Sequence, residues 1–276
     1  DTDRSRGLGD VYKRQDKGLD WLCSLIIKNY GDLNHKINFV QSLRSSEDYI
    51  YKHVLNVAIL SAIIAGQMGF PVGRINLLVK SAILHDIGAL KLQQLPDAED
   101  LDDGTKEVVK KNTQETLDRY GDLDEEVLRL ITQMQELYTR ESDAEIPAGL
   151  KESVNANILY VADAYDRMTA MKSFEEPTSE VKAVRELLAD EERYNKKIVN
   201  ALIHGISILY PGVCVELSNG EKGLVITENE DNIFEPTVLD FRNNNLYDLS
   251  DPSVKQTIEI ADVMKTMDGG KRRTAR

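Results

Sequence analysis

The chain has 276 residues, 41% of them hydrophobic, which is enough to bury the core of one large domain or two modest ones. Its 34 basic and 47 acidic residues leave a net charge of −13, which argues against a general nucleic-acid binder because such a protein needs a basic face. Two cysteines, Cys23 and Cys214, are too few for a disulfide-stabilised secreted scaffold and indicate free thiols in a cytoplasmic protein. No apolar run approaches the ~20 residues of a membrane span, so we predict no membrane segment in this fragment.

The two ends of the chain show no pattern of regular structure. Residues 1–15, DTDRSRGLGDVYKRQ, have no apolar periodicity and resemble translated sequencing-adapter sequence. We therefore expect this tail to be non-native and a native N-terminal regulatory region to be missing. Residues 266–276 are predicted to form a disordered tail.

The pattern between residues 16 and 210 is predominantly helical, and we divide it into an N-terminal helical segment, 16–48, and a helical domain, 49–210. In the first segment, one helix begins near Trp21, and Ile37, Val40 and Leu43 indicate a second short helix. Polar loops are predicted at 96–104 and 139–149. The helices predicted in the domain cover residues 49–68, 75–84, 106–120, 124–137, 153–170, 179–189 and 194–209.

The pattern changes after Pro211-Gly212. Val213, Val215 and Leu217 alternate with period two, and Asn219-Gly220 is typical of a hairpin turn because both residues tolerate positive φ. Further strands are predicted at 224–227 and 237–241. The sequence therefore predicts a mainly α protein, a helical bundle with a small C-terminal antiparallel β appendage at 211–265.

Four residues that are distant in sequence share the chemistry of a metal site. His85 and Asp86 end an apolar helix, His53 begins a buried helix upstream, and Asp163 lies in the middle of an apolar helix downstream. A buried carboxylate beside a buried imidazole is costly unless another charge compensates it, and a cation would compensate both. By contrast, His35 lies in a polar stretch typical of the surface, and His204 is typical of a structural histidine.

Two imidazoles and two carboxylates form a mixed nitrogen and oxygen ligand set. Such a set suits Fe, Mn, Zn or Mg better than soft metals. A metal bound by these residues would leave positions for water and a phosphate oxygen, and it would lower the pKa of that water to about 7. We expect His53, His85, Asp86 and Asp163 to hold the metal, and His85 and Asp86 to take part in catalysis.

The ordered set His53, His85-Asp86 and Asp163 resembles the H…HD…D signature of the HD superfamily of metal-dependent phosphohydrolases. More narrowly, the chain resembles a divergent HD-GYP domain, the family of cyclic di-GMP phosphodiesterases. The resemblance covers roughly residues 20–260 and implies an HD-domain bundle acting on a small nucleotide or cyclic dinucleotide. The segments that carry it are DYIYKH (48–53), LHDIG (84–88), LDEEVL (123–128), VADAYD (161–166) and LYPG (209–212).

The chain departs from the family pattern where the family would hold further metal ions. Ala89 stands in place of the lysine of HDIGK, Asn112 in place of a histidine, and Met134-Gln135 in place of an adjacent histidine pair. The GYP segment is replaced around residues 140–145. Neutral amides and a thioether are poor substitutes for imidazole in a hard site, so the resemblance implies one well-built metal site.

Three side chains are weaker candidates for binding the phosphate of a substrate. Lys172 stands where the family often has an arginine, Lys91 follows the HD turn and could partly replace the missing lysine, and Asn112 offers an amide. Each has the alternative interpretation of an ordinary solvated side chain.

Three functions are compatible with this sequence. The first is a metal-dependent phosphohydrolase with a reduced, single-metal site. The second is a catalytically silent signalling module, since several positions typical of the active site are changed. The third is a mononuclear nucleotidase or phosphatase of the wider HD superfamily. A cytoplasmic location is expected for all three, and a homodimer is compatible with each.

Overall fold

The computed structural model of the protein describes residues 17–45, 47–92, 103–120, 123–139, 145–171 and 176–264. The tails predicted at 1–15 and 266–276 lie outside these ranges, as do the candidate phosphate ligand Lys172 and parts of the two predicted polar loops.

The described residues form a helical bundle, which confirms the predicted mainly α fold class. A short 3-10 helix, Ile87–Lys91, follows the third α-helix. The α-helices are α1 (17–30), α2 (Tyr49–Gln67), α3 (Val72–Leu84), α4 (Asp103–Leu117), α5 (Glu125–Tyr138), α6 (Ala148–Glu152), α7 (Val154–Thr169), α8 (Glu180–Ala189), α9 (Lys196–Gly205) and α10 (Pro252–Lys255).

Several helix starts follow directly from local sequence. Side chains of Asp124, Ser179 and Asn195 accept hydrogen bonds from backbone N–H groups in the first turns of α5, α8 and α9. These caps satisfy donors that have no partner within the helix itself. The starts of these helices are therefore encoded locally, before any tertiary packing.

Helix α2 lies at the centre of the bundle and packs against α3, α7 and α9. Among the described helices it alone has the length and hydropathy of a membrane span, which corrects the expectation that no segment reaches that length. However, 56% of its most apolar window is buried inside the bundle. Its apolar character on nearly every side follows from this packing, because a central helix has neighbours all round.

The second short helix predicted around Ile37 is wrong. Residues 31–45 contain no helix, and Ile37 instead forms a parallel β-bridge with Ile206 after the end of α9. Arg44 donates its backbone N–H to the carbonyl of Met171 at 2.8 Å. The backbone of this segment therefore forms hydrogen bonds with residues that follow the ends of α9 and α7. These tertiary contacts outweigh the local preference for a helix that its apolar spacing indicates.

A five-stranded antiparallel sheet follows the bundle and confirms the predicted β appendage as an element of the fold. Its core residues, including Val215, Val225 and Val238, are continuous with the hydrophobic core of the bundle. Arg185 of α8 donates hydrogen bonds to the carbonyls of Ile260 and Ala261, which attaches the edge of the sheet to the bundle. The strands are β1 (Cys214–Leu217), β2 (Lys222–Thr227), β3 (Thr237–Asp240), β4 (Leu246–Asp248) and β5 (Ile260–Val263), in the order β4-β3-β2-β1-β5.

Candidate metal centre

Three helices bring the four predicted ligands together. His53 lies in the first turns of α2, His85 and Asp86 follow the end of α3, and Asp163 lies in the middle of α7. One ligand atom from each of the four residues lies within 4.8 Å of every other. All four side chains are buried, so the cluster forms one site enclosed by the bundle.

The hydrogen bonds of the two imidazoles determine which nitrogen of each ring faces the cluster. His85 Nδ1 lies 2.6 Å from the carbonyl oxygen of Ala82, which can only accept, so Nδ1 carries the proton. His53 Nδ1 donates in the same way to a carboxylate oxygen of Asp166 at 2.7 Å. Both rings therefore turn Nε2 toward the cluster, and in the neutral ring this atom carries a lone pair.

Three electron-rich atoms converge at the centre of the cluster. Asp163 Oδ1 lies 3.0 Å from His53 Nε2 and 3.3 Å from His85 Nε2. His53 Nε2 is buried and makes no hydrogen bond. Lone pairs of neutral imidazoles facing a carboxylate repel it, so this arrangement calls for a cation or for extra protons on the rings. The donor set and the orphaned nitrogen fit a divalent metal ion.

The pKa shifts of the cluster are consistent with this need for positive charge. Burial on its own lowers the pKa of His85, but the carboxylates of Asp86 and Asp163 outweigh burial and raise it. Burial on its own would raise the pKa of both carboxyls. The charge of His85 together with Arg167 lowers the pKa of Asp86, and Arg167 with the imidazoles lowers that of Asp163. Both aspartates are therefore ionised at neutral pH.

Asp166, one turn after Asp163 on α7, orients His53. The Asp166 carboxylate accepts two hydrogen bonds from Arg44, at 2.8 and 2.5 Å, and further ones from Asn56 at 2.9 Å and Gln41 at 3.0 Å. Although burial opposes ionisation, the bonds from His53 and Arg44 lower the pKa of Asp166. A carboxylate that holds the far nitrogen of a metal-binding histidine fixes both the tautomer and the orientation of the ring.

Arg167 is a cation in contact with the cluster. Its Nε donates to Asp163 Oδ2 at 2.9 Å, and its terminal nitrogen donates to Asp86 Oδ2 at 2.8 Å. Burial opposes the charge on the guanidinium, yet the carboxylate of Asp163 raises the pKa of Arg167 above its ordinary value. The two buried carboxylates are therefore each paired with Arg167 as well as facing the imidazoles.

The turn that carries His85 and Asp86 is held by α4 and α5. The side-chain amide of Gln135 donates to the carbonyl oxygen of His85 at 2.9 Å. The backbone N–H of Gly88 donates to Thr113 Oγ1 at 3.0 Å. Gln135, where the resemblance expects a histidine, thus has a structural contact with the turn.

Gly88 permits a very close approach between this turn and α4. A Cβ atom at position 88 would lie 2.3 Å from Thr113 N and 2.3 Å from Val109 O, both backbone atoms. We expect Gly88→Ala to displace the turn and to lower the free energy of unfolding by roughly 1–3 kcal/mol, measured by urea denaturation.

Gly73 provides the control for this substitution. It lies in α3, and nothing lies within 4 Å of a Cβ atom built there. Because alanine favours a helix over glycine by up to about 1 kcal/mol, Gly73→Ala should leave stability unchanged or raise it. Equal stability of the two variants would contradict the close contact at Gly88.

The weaker candidates make contacts away from the four-residue cluster. Lys91 donates to the backbone carbonyl of Asn112 at 3.2 Å and lies 3.8 Å from Glu115. The Asn112 amide points to the carbonyl of Gly88 at 3.5 Å. His35 and His204 both line a separate surface cavity of about 690 Å³. Ala89 packs in a small apolar cluster with Ile50 and Val109, a setting unsuited to a lysine.

Sequence reasoning missed the polar and charged residues that surround the ligands. Arg44 and Gln41 lie in a non-helical segment whose apolar spacing predicts a helix, so no sequence signal placed them beside Asp166. Arg167 had a signal, because it follows Asp163 by four residues and therefore lies on the same face of α7.

Comparison with known proteins agrees with the architecture of this site. The profile of the HD domain family matches residues 50–168, which contain all four clustered ligands. One similar protein is the cyclic di-GMP phosphodiesterase PA4108 of Pseudomonas aeruginosa strain PAO1, 22% identical over 71% of this chain and 49% of its own length. Another is the cyclic di-GMP phosphodiesterase PdeB of Borreliella burgdorferi strain B31, 24% identical over 80% of this chain and 60% of its own length.

The chain thus spans only about half to three fifths of the curated relatives that it matches. Within that span it shares the HD profile and keeps the H…HD…D residues in one buried cluster. Residues 50–168 of the chain are therefore similar to the HD domain family, and the two curated relatives are cyclic di-GMP phosphodiesterases at low identity.

Proposed function

We propose that this chain is a metal-dependent phosphohydrolase that acts on a cyclic dinucleotide. One observation carries the proposal: His53 Nε2 and His85 Nε2 both face Asp163 Oδ1, at 3.0 and 3.3 Å, while each ring has its proton on Nδ1. A cation at this point would convert repulsion among three electron-rich atoms into ligation.

His53, His85, Asp86 and Asp163 are the residues that would hold the ion, which we propose to be Fe, Mn, Zn or Mg. When bound, such an ion supplies Lewis acidity, which polarises a phosphate ester and makes hydroxide available at neutral pH. Asp166 keeps the His53 ring in the ligating tautomer through its bond to Nδ1. Arg167 presents positive charge beside the site, which suits a phosphate group.

The substrate class is proposed from the relatives, because both carry cyclic di-GMP phosphodiesterase as their name. The changed positions favour reduced activity. Met134 is buried where the resemblance expects a histidine, and a thioether is a poor ligand for hard metal ions. A clamp of two metal ions, which stabilises attacking and leaving oxygens together, is therefore not expected here.

Elemental analysis and a substrate screen test this proposal together. We expect purified protein to hold about one Fe, Mn, Zn or Mg ion per chain and to hydrolyse cyclic di-GMP to a linear dinucleotide. Removal of the metal by a chelator should abolish hydrolysis, and adding the metal back should restore it. Hydrolysis that persists at full rate in metal-free protein would contradict the proposal.

Two alternatives give different results in the same experiment. The contact of Arg167 with both Asp86 and Asp163 favours a catalytically silent module, since these carboxylates already have a cationic partner. That alternative would be supported if the protein is purified without metal, is as stable without added metal as with it, and hydrolyses no substrate. Hydrolysis of nucleoside monophosphates in preference to cyclic dinucleotides would support a mononuclear nucleotidase or phosphatase.

We further infer a cytoplasmic location, because Cys23 and Cys214 are both free and Cys23 is buried. The homodimer stays a prediction from the sequence.

A further inference from the structure

The guanidinium of Arg167 occupies the outer side of the cluster. Its side chain is 13% exposed, whereas those of Asp86 and Asp163 are 5% and 1% exposed. Arg167 therefore lies between the buried carboxylates and the solvent. A solute that approaches the cluster from this side meets its positive charge.

Asp163 divides its two oxygen atoms between the imidazoles and Arg167. Oδ1 faces His53 and His85, and Oδ2 accepts the hydrogen bond from Arg167 Nε at 2.9 Å. An ion held between the two imidazoles could thus bind Oδ1 while Arg167 retains its hydrogen bond to Oδ2. At Asp163 the two cations are compatible.

Asp86 does not divide its oxygens in this way. Its Oδ2 lies 3.7 Å from both His53 Nε2 and His85 Nε2, and the same atom accepts the hydrogen bond from Arg167 at 2.8 Å. A metal ion bound through this oxygen has to share it with a guanidinium. At Asp86 the two cations compete.

Helix α5 fixes the position of the guanidinium. Arg167 lies over the ring of Tyr138, 4.6 Å from its centroid, a distance typical of a cation–π contact. Tyr138 follows by one turn the positions Met134 and Gln135, where the resemblance expects a metal-binding histidine pair. The arginine is thus fixed on both sides, by carboxylates and by an aromatic ring.

We propose that Arg167 is a resident cation of the four-residue cluster. It neutralises Asp86 and Asp163, keeps the cluster assembled without metal, and weakens the binding of a divalent ion. This inference rests on the metal site of the proposed function, but it concerns affinity and assembly rather than hydrolysis.

The test compares Arg167→Gln and Arg167→Lys with the parent chain by Mn²⁺ titration against a competing chelator and by thermal unfolding of metal-free protein. Arg167→Gln removes one positive charge next to the site, so Mn²⁺ should bind about tenfold more tightly or better, and metal-free protein should unfold at a lower temperature. Arg167→Lys keeps the charge but cannot bridge the two carboxylates with a planar guanidinium. Its Mn²⁺ affinity and its unfolding temperature should therefore lie between those of the parent and of Arg167→Gln. Arg129→Gln is the control, since Arg129 is an exposed residue of α5.

Several results would overturn the inference. The first is that Arg167→Gln binds Mn²⁺ no more tightly than the parent does. The second is that metal-free Arg167→Gln unfolds at the same temperature as the metal-free parent. The third is that neither protein binds Mn²⁺. If Arg167→Gln does not fold, an Arg167→Lys variant with parental affinity would also overturn it. A parent protein that binds Mn²⁺ but hydrolyses no phosphodiester would overturn the proposed function alone and leave this inference standing.

Discussion

Replacing Asp86 with alanine is expected to lower phosphodiester hydrolysis by at least about 100-fold and to reduce the metal content of the purified protein. Asp86 Oδ2 lies 3.7 Å from the Nε2 atoms of both His53 and His85, so the substitution removes one of the four proposed ligands. Among the residues that the structure describes, it also leaves Arg167 with Asp163 as its one carboxylate partner. Elemental analysis and a steady-state assay on the same preparation measure both effects.

Asp231→Ala is the matched control, because Asp231 is an exposed aspartate in the loop between β2 and β3. It should retain the metal content and the activity of the parent. Hydrolysis that survives Asp86→Ala at the parental rate would refute the role of this cluster in the reaction. Thermal unfolding of each variant separates loss of metal from loss of fold.

The largest expected effect on stability comes from Asp166→Ala. The Arg44 and Asp166 side chains are both completely buried, and the guanidinium makes two hydrogen bonds to the carboxylate. Removing one partner of a buried pair leaves an uncompensated charge and costs about 3–5 kcal/mol. Urea denaturation of metal-free protein measures this loss, because it separates the ion pair from any contribution of bound metal.

The pH dependence of this effect has a definite sign. The pKa of Asp166 is depressed in the folded protein, so its contribution to stability is complete above the unfolded value of about 3.9 and is lost as the pH falls toward the folded value. The difference between parent and Asp166→Ala should therefore shrink in acid.

Asp20→Ala provides the comparison, since Asp20 pairs with Lys80 at 2.6 Å but is 60% exposed. A surface pair of this kind contributes about 0–1 kcal/mol. A loss for Asp166→Ala no larger than for Asp20→Ala would show that Arg44 finds another partner.

The four clustered residues could be predicted from the sequence because each is a polar side chain within an apolar helical pattern. His53, His85 and Asp163 lie where the pattern demands burial, and burial of an ionisable group without a partner is costly. Such a conflict between the apolar pattern and a polar side chain can be recognised from the amino-acid sequence alone. The resemblance to HD proteins then indicated which of these conflicts belong to one site.

The groups that support the site were less accessible to sequence reasoning. Residues 31–45 contain apolar residues at helical spacing, but their backbone forms hydrogen bonds with the backbone of Gly205, Ser207 and Met171 instead of forming a helix. That pairing is what brings Gln41 and Arg44 onto Asp166. Contacts between segments separated by more than 100 residues leave no periodic trace in either segment.

The sequence by itself determined the helical bundle, the C-terminal strands and the four candidate ligands, because apolar periodicity and misplaced polar residues are local signals. The tertiary structure alone decided that His53 is oriented by Asp166 and that Arg167 lies across Asp86 and Asp163. The physical reason is that electrostatic balance in a buried cluster depends on distances between side chains from different helices. Those distances exist only after α2, α3 and α7 have packed together.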